Sequence, residues 1–340
     1  MQSELGFSDQ NRLIAKVLHL YYLDNLSQVE IAKKLDLSTV RVNRMIKYAR
    51  QEGMVEVTLK LPFPNLVELE SRLLNLTTLD DVIISPSIGN TPDADLMQLT
   101  TIVASYLVNL IRSKDVICVG GGTTVSEIVN HVEAHRFPEV KILPSIGGVH
   151  NLRERDVNSI AARLANKLDG EAVSFYAPAF AESEQERQTL YKLTHVTQVL
   201  EQAKVARIGL FGVGSLQTDS SIIQYCSLPY RVLDGLVKKR NGVGEILGYV
   251  IDKNGDDCIP ELTQLVIGIS LDELRRIPIR IGAALGIQKA PAIAAAIKGK
   301  FFTTFCMDEL TAIEVVNILE SEQIYKKDEL SELVSTSQSL

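Results

Sequence analysis

The chain has 340 residues, 46% hydrophobic and 23% charged, with a formal net charge of −7. That length suggests two domains rather than one core, and the ordinary composition excludes a disordered or fibrous chain. No run of about 18 uncharged apolar residues occurs, and the N-terminus lacks the basic start and apolar stretch of a secretory leader, so a cytoplasmic protein without a membrane span is expected.

Residues 9–23 read as a helix, with Asp9 as N-cap and Leu13, Val17, Leu20 and Tyr21 at helical spacing. After a break at Asp24-Asn25, Ser27-Gln28-Val29-Glu30 is a capping box, in which Ser27 accepts from the third helical amide and Glu30 reaches back. The short helix ends near Lys34, and Asp36-Leu37 makes a tight link. Ser38 caps a third helix that runs to about Gln51. Gly53 suits the left-handed residue after it, and Met54–Leu59 alternates like a strand.

Two short helices joined by a tight turn match the helix-turn-helix template. Ile31, Ala32, Leu35, Leu37, Val40 and Ile46 supply apolar contacts, and Ala32 is small where the helices cross. Thr39, Arg41, Asn43, Arg44 and Lys47 are left facing outward. These types suit a DNA groove: arginine forks onto guanine, asparagine onto adenine, and lysine meets phosphate. Ser27, Gln28 and Ser38, at the two helix starts, join them as DNA-facing candidates. From Lys33 to Arg50 six basic residues stand against one acid, Asp36, so the acidity lies in the rest of the chain. A basic helix face alone is most often a solvated surface. The capping box, tight turn, small Ala32 and terminal position together favour DNA. The following strand would form part of a wing.

Pro62-Phe63-Pro64 marks a stop, so residues 1–61 are expected to form the DNA-binding domain and 62–76 a linker and connecting helix. Leu66, Leu69, Leu73 and Leu76 of that helix suit packing on their own domain or on a partner subunit. From residue 80 short apolar runs alternate with helical stretches. Strands are expected at Val82–Ser85, Val116–Val119, Val140–Leu143, Ala172–Phe175, Ile208–Phe211, Ile279–Ile281 and Phe302–Phe305. Helices are expected at Ala94–Arg112, Thr124–Ala134, Val157–Lys167, His195–Gln202, Ala290–Lys298 and Glu309–Leu319. This predicts an α/β domain, residues 77–322, on a mostly parallel sheet covered on both faces. Residues 323–340 lose apolar periodicity and are expected to fray.

The strand at Val116–Val119 runs into Gly120-Gly121-Gly122-Thr123-Thr124 and then a helix. Bare glycines let backbone amides approach a ligand, the helix dipole favours negative charge, and threonine hydroxyls add donors. The spacing is neither a dinucleotide nor a Walker fingerprint, and alone it leaves a βα turn that binds nothing equally open. Two more glycine turns follow strands, Ile146-Gly147-Gly148 and Gly212-Val213-Gly214-Ser215. In a parallel sheet such turns gather at one edge, where ligands bind, so three of them favour a cleft. Cys118, Cys226, Cys258 and Cys306 are scattered without a Cys-x-x-Cys pair, as are the histidines. They read as reduced thiols, with no metal site and no cofactor.

The chain carries, in order, Tyr21-Tyr22-x-x-x-Leu26-Ser-Gln-x-Glu-Ile-Ala, Val40-x-Val-x-Arg44, Gly242-Val-Gly-Glu-Ile-Leu-Gly-Tyr249 with Asp252-x-x-Gly255, Gly286-Ile-Gln-Lys289-Ala-Pro, and Met307-Asp308-Glu309-x-Thr311-Ala312. These ordered motifs resemble the SorC family of sugar-responsive bacterial transcriptional regulators. The resemblance runs from about Leu13 to Leu319. It implies a sensor fold related to sugar-phosphate isomerases, deaminases and coenzyme A transferases, a phosphorylated sugar or polyol as effector, operator DNA as partner, and a homo-oligomer, dimer or tetramer. It also implies that Gly121, Gly122, Thr123 and Thr124 lie in the effector cleft; Gly147 and Gly148 join them as candidates from the position of their turn after a strand. Lys289 matches the family's effector-contacting lysine. Glu245 stands where many members have aspartate, which keeps the charge and lengthens the arm. Leu285-Gly286 stands where the family often has two glycines.

From the residues alone, Lys289 reads first as a solvated lysine at a helix start, where the dipole disfavours a cation. Glu245 reads as a loop cap, and Asp308 as a helix N-cap. The rival function is a sugar-phosphate isomerase or deaminase with an appended DNA-binding domain, using Glu245 and Asp308 as acid and base. No cluster of acid, base and histidine accompanies the glycine turns. A purely structural DNA-binding protein would not need three such turns.

Overall fold

The computed structural model describes the backbone of residues 9–55, 63–87, 91–149, 153–217, 222, 226 and 228–337, with side chains over the same residues except residue 9 and those beyond 324. Two compact units emerge, Met1–Pro62 and Phe63–Leu340. The first contains α1 (Asp9–Tyr22), α2 (Gln28–Leu35) and α3 (Thr39–Gln51). Ile14, Val17, Ile31, Ala32, Val42, Met45, Ile46 and Ala49 form its core. Val42, Met45, Ile46 and Ala49 follow the i, i+3, i+4, i+7 stripe of a one-sided helix. Val40, expected to point inward, is instead 69% exposed; it lies two residues off that stripe, and Val42 fills the place. The link between α2 and α3 is a left-handed Asp36 (φ 54°), after which the Leu37 amide donates to the Ala32 carbonyl at 2.8 Å. The strand expected at Met54–Leu59, and with it the wing, lies outside the described residues from residue 56 onward.

The second unit begins with α4 (Pro64–Leu76), followed by β1 (Asp81–Ser85), α5 (Pro92–Leu110), β2 (Val116–Val119), α6 (Thr123–His131), β3 (Lys141–Pro144), α7 (Val157–Leu168) and β4 (Glu171–Ala172). Next come α8 (Glu184–Leu190), α9 (Thr194–Lys204), β5 (Ile208–Gly212), α10 (Tyr230–Arg240), β6 (Gly242–Ile246) and β7 (Tyr249–Asp252). The chain closes with α11 (Pro260–Thr263), α12 (Leu271–Arg276), β8 (Ile279–Ala283), α13 (Ala290–Lys298), β9 (Thr304–Asp308) and α14 (Glu309–Ser337). Seven strands form one parallel sheet in the order β1-β9-β8-β5-β2-β3-β4. The alternation of apolar runs and helical stretches anticipated this parallel α/β layout. Ile117, Cys118 and Val119 of β2 and Ile208, Leu210 and Phe211 of β5 are all buried, as a sheet covered on both faces requires. From the adjacent β2 and β5 the chain winds outward in opposite directions. That reversal opens a crevice at the C-terminal ends of these two strands.

Three elements differ from expectation. The strand at Ala172–Phe175 shrinks to Glu171–Ala172. Val173 still donates to Ile142, but the Phe175 amide is taken at 2.7 Å by the Asn158 side chain, which peels the chain off the sheet. The strand at Phe302–Phe305 runs instead over Thr304–Asp308, where it pairs with Asp81–Ser85. The tail expected to fray carries α14 on to Ser337; Glu, Leu and Lys are good helix formers even where the apolar stripe is lost.

Leu66, Leu69 and Leu73 of α4 are buried in the core of their own unit, and the Glu70 carboxylate accepts the Ile84 amide at 2.9 Å, tying α4 to the edge strand β1. Outside the main sheet, β6 and β7 form an antiparallel hairpin. Its two-residue turn, Leu247-Gly248, has φ of 52° and 82°, the handedness that matches strand twist. The hairpin packs closely on α13: a β-carbon on Gly244 would fall 2.3 Å from that of Ala292.

Candidate functional site

In the first unit Ser27 and Glu30 close the capping box: the Glu30 amide donates to the Ser27 hydroxyl at 3.3 Å and the Ser27 amide to the Glu30 carboxylate at 2.8 Å. The Ser38 hydroxyl accepts the Arg41 amide at 3.3 Å. Both serines therefore fix helix starts, whatever else they touch. Thr39, Arg41, Asn43, Arg44 and Lys47 are all exposed on α3. Among the described residues no carboxylate pairs with Arg41, Arg44 or Lys47. Arg50 is already engaged, its Nε donating to the Tyr22 hydroxyl at 2.7 Å.

In the second unit a cavity of about 330 Å³ opens at the crevice between β2 and β5. Gly121, Gly122, Thr123 and Thr124 form one wall, Gly212–Ser215 a second, and Glu245 and Lys289 a third. The structure thus brings together six of the eight sequence-predicted cavity residues. Gly147 and Gly148 are not among them. Their amides donate to the carbonyls of Ile267 and Ala177, both at 2.8 Å, so the turn is spent on backbone pairing; Gly148 borders a separate shallow depression beside Asp156.

The donors at the glycine turn are selective. The Gly122 amide is already committed to the Arg155 carbonyl at 3.0 Å. The amides that no helical carbonyl can satisfy are those of the first turn of α6, which starts at Thr123. Glu245 reaches the cavity because β6 bridges to the β5 turn: Gly214 donates to the Glu245 carbonyl at 2.9 Å and Glu245 to the Gly214 carbonyl at 3.0 Å. The side chain lies over Gly214, where a β-carbon would fall 2.1 Å from Glu245 Oε1. Burial raises the Glu245 carboxyl above the ordinary glutamate value, against the Gly248 amide, which donates to Oε2 at 3.0 Å, and the charge of Lys289.

Lys289 ends the turn Ile287–Lys289 just before α13. Asp308, weighed as an acid or base, does not line the cavity. Its buried carboxylate accepts the Gly286 amide at 3.1 Å, the Thr311 amide at 3.2 Å and the Thr311 hydroxyl. It caps α14 and holds the turn that presents Lys289. Sequence reasoning missed Arg155, Phe180, Leu247 and Gly248, which also line the cavity. Leu247-Gly248 carries a turn signal; the sign for Arg155 was a basic pair, Arg153 and Arg155, just ahead of a helix.

Residues 62–317 match the family model Sugar-bind ("Putative sugar-binding domain"). The chain belongs to this family. Residues 15–52 of this Sugar-bind protein match sigma-70 region 4, the stretch of the helix-turn-helix. It is 28% identical over 318 residues to the transcriptional regulator LsrR of Escherichia coli, covering 92% of this chain and 97% of that protein. It is 26% identical over 327 residues to the deoxyribonucleoside regulator of Bacillus subtilis, covering 92% and 99%. The fold is that of the full-length sorbitol operon regulator SorC from Klebsiella pneumoniae (TM-score 0.71, 22% identity, 91% of this chain and 100% of that one). A DeoR family regulator from Listeria monocytogenes shares it over 73% of this chain and 98% of that one, with a TM-score of 0.68 and 24% identity. The Sugar-bind protein is therefore a transcriptional regulator with a DNA-binding and a sugar-binding domain. No described helix is long and apolar enough to cross a membrane.

Proposed function

We propose that the effector is a phosphorylated sugar or polyol. What supports this is the meeting, in one cavity, of a helix N-terminus, a lysine and a carboxylate. A phosphate needs several donors to offset its desolvation, and the first turn of α6 with Lys289 supplies them. Sugar hydroxyls need acceptors, and Glu245 is one. The Glu245 arm, longer than the family's frequent aspartate, selects a sugar with its hydroxyl nearer the cavity centre. The test is calorimetry with ligand recovered from the natively purified protein, before and after phosphatase treatment. Equal affinity of the two forms would refute the phosphate reading.

The DNA reading places α3 in the major groove, with Thr39, Arg41, Asn43, Arg44 and Lys47 toward the bases and backbone and Ser27, Gln28 and Ser38 near phosphates. Arg44→Ala is expected to weaken operator binding with the fold intact. If Arg44 reads a base, discrimination at one position relaxes by about 1–3 kcal/mol; if it touches only phosphate, all sequences weaken alike and the salt slope falls. Competition binding at two salt concentrations separates these, and an unchanged affinity would remove α3 from the interface.

One helix-turn-helix covers a single half-site, so the working form is a dimer or tetramer across a palindrome. Effector binding then favours one arrangement of the heads over another, and a tenfold preference per site corresponds to about 1.4 kcal/mol. Sedimentation at micromolar concentration is expected to show at least a dimer; monomer alone, with and without DNA, would overturn this.

A further inference from the structure

We infer that Arg155 is a second anion-holding side chain of the cavity, and that it confers the preference for a phosphorylated over a neutral sugar. The inference rests on the effector reading above and adds a specificity residue to it. Arg155 lines the cavity at the glycine-turn wall. Its Nη1 lies 3.4 Å from the hydroxyl of Thr123, the first residue of α6, so a guanidinium stands at the positive end of a helix dipole. Like partial charges meeting there repel each other, and cations are disfavoured at that end. Lys289 adds another positive group to the same cavity.

The neighbouring carboxylates do not relieve this. Asp156 is committed to the Val149 amide at 2.8 Å and the Asn158 amide at 2.9 Å, as the cap of α7. Among the described residues no carboxylate lies within ion-pair distance of Arg155. Among the described residues of the cavity wall the acid is Glu245, and its Oε2 accepts the Gly248 amide. An anion seated between the α6 N-terminus and the guanidinium turns the repulsion into two attractions.

The backbone keeps Arg155 at that distance. Its carbonyl accepts the Gly122 amide at 3.0 Å, so the turn Arg153–Arg155 is joined to the glycine turn. The guanidinium presents a planar fork matched to phosphate oxygens, which an ammonium does not reproduce. The site is thus asymmetric: Arg155, Lys289 and the first-turn amides of α6 take the phosphate, and the Glu245 carboxylate takes hydroxyls.

The experiment uses the full-length protein and inorganic phosphate as the probe, followed by phosphorus NMR line broadening at constant ionic strength. Wild type is expected to broaden the phosphate line, Arg155→Gln to weaken binding about tenfold or more, and Arg155→Lys to recover only part of it. The melting temperature of the ligand-free Arg155→Gln variant should not fall below the wild-type value, because the side chain is exposed and its charge is repelled by the α6 N-terminus. If wild type binds phosphate and Lys289→Gln weakens it while Arg155→Gln does not, Arg155 has no such role and the effector reading stands. If Arg155→Lys binds as well as wild type, only charge is read and the fork is irrelevant. If wild type gives no broadening, the phosphate reading itself falls, and Arg155 with it.

Discussion

Arg207→Ala is expected to destabilise the larger unit by about 3–5 kcal/mol, the usual cost of leaving a buried charge without its partner. Arg207 Nε donates to Asp115 Oδ1 at 2.6 Å, and its Nη2 reaches Asp115 Oδ2 and the Leu110 carbonyl. Asp115 is buried and also accepts the Arg112 amide at 2.7 Å. The pair pins the start of β2 to the start of β5, the two strands whose far ends carry the cavity. Burial alone would raise the Asp115 carboxyl, but the hydrogen bonds from Arg207 and Arg112 and their charges bring it below its ordinary value. A depressed carboxylate stabilises the fold above its unfolded pKa and loses that contribution as pH falls through the folded one. Wild type should therefore lose stability on the acid side of the ordinary aspartate range, and Arg207→Ala should flatten that limb. Urea unfolding over a series of acid pH values measures both; an unchanged midpoint at neutral pH would show that the pair contributes nothing.

The second large effect is on the effector. Lys289→Ala is expected to weaken its binding by roughly 1.5–3 kcal/mol, the range for a hydrogen bond to a charged group, or about ten- to a hundredfold. DNA binding without ligand should persist, because Lys289 and α3 belong to separate units. The turn that presents Lys289 is held through the Gly286 amide by Asp308, not by Lys289 itself, so the variant should fold. Calorimetry with the recovered ligand reads the loss. Intact affinity would mean that the lysine faces the cavity without serving it.

The parts of this molecule that were legible in advance are those with a strong local period or a cap. The capping box at Ser27, the tight link at Asp36 and the buried strands after Asp115 and Arg207 each carry their own signal. The β6–β7 hairpin was present only as a family motif, because Gly242–Ile246 has too little apolar alternation to read as a strand. Val40 was misplaced since an apolar residue near a helix start has no periodic neighbour before it to fix its face. Gly147 and Gly148 lie outside the cavity lining for a different reason. A glycine pair after a strand looks the same whether its amides face a ligand or another stretch of backbone, and here Ile267 and Ala177 take both. Arg155 escaped notice because its meaning depends on the fold bringing residue 155 beside residue 123.

Neighbouring positions on the β6 strand live under opposite constraints. At Gly244 even a methyl group would collide with Ala292, so drift there is closed by packing. At Glu245 the side chain borders a cavity of about 330 Å³, and a shorter replacement gives up the Gly248 amide without colliding with a neighbour. If Glu245 meets the sugar as proposed, duplicated copies of such a regulator can diverge in the sugar they answer to by changing residue 245, while residue 244 keeps the hairpin seated.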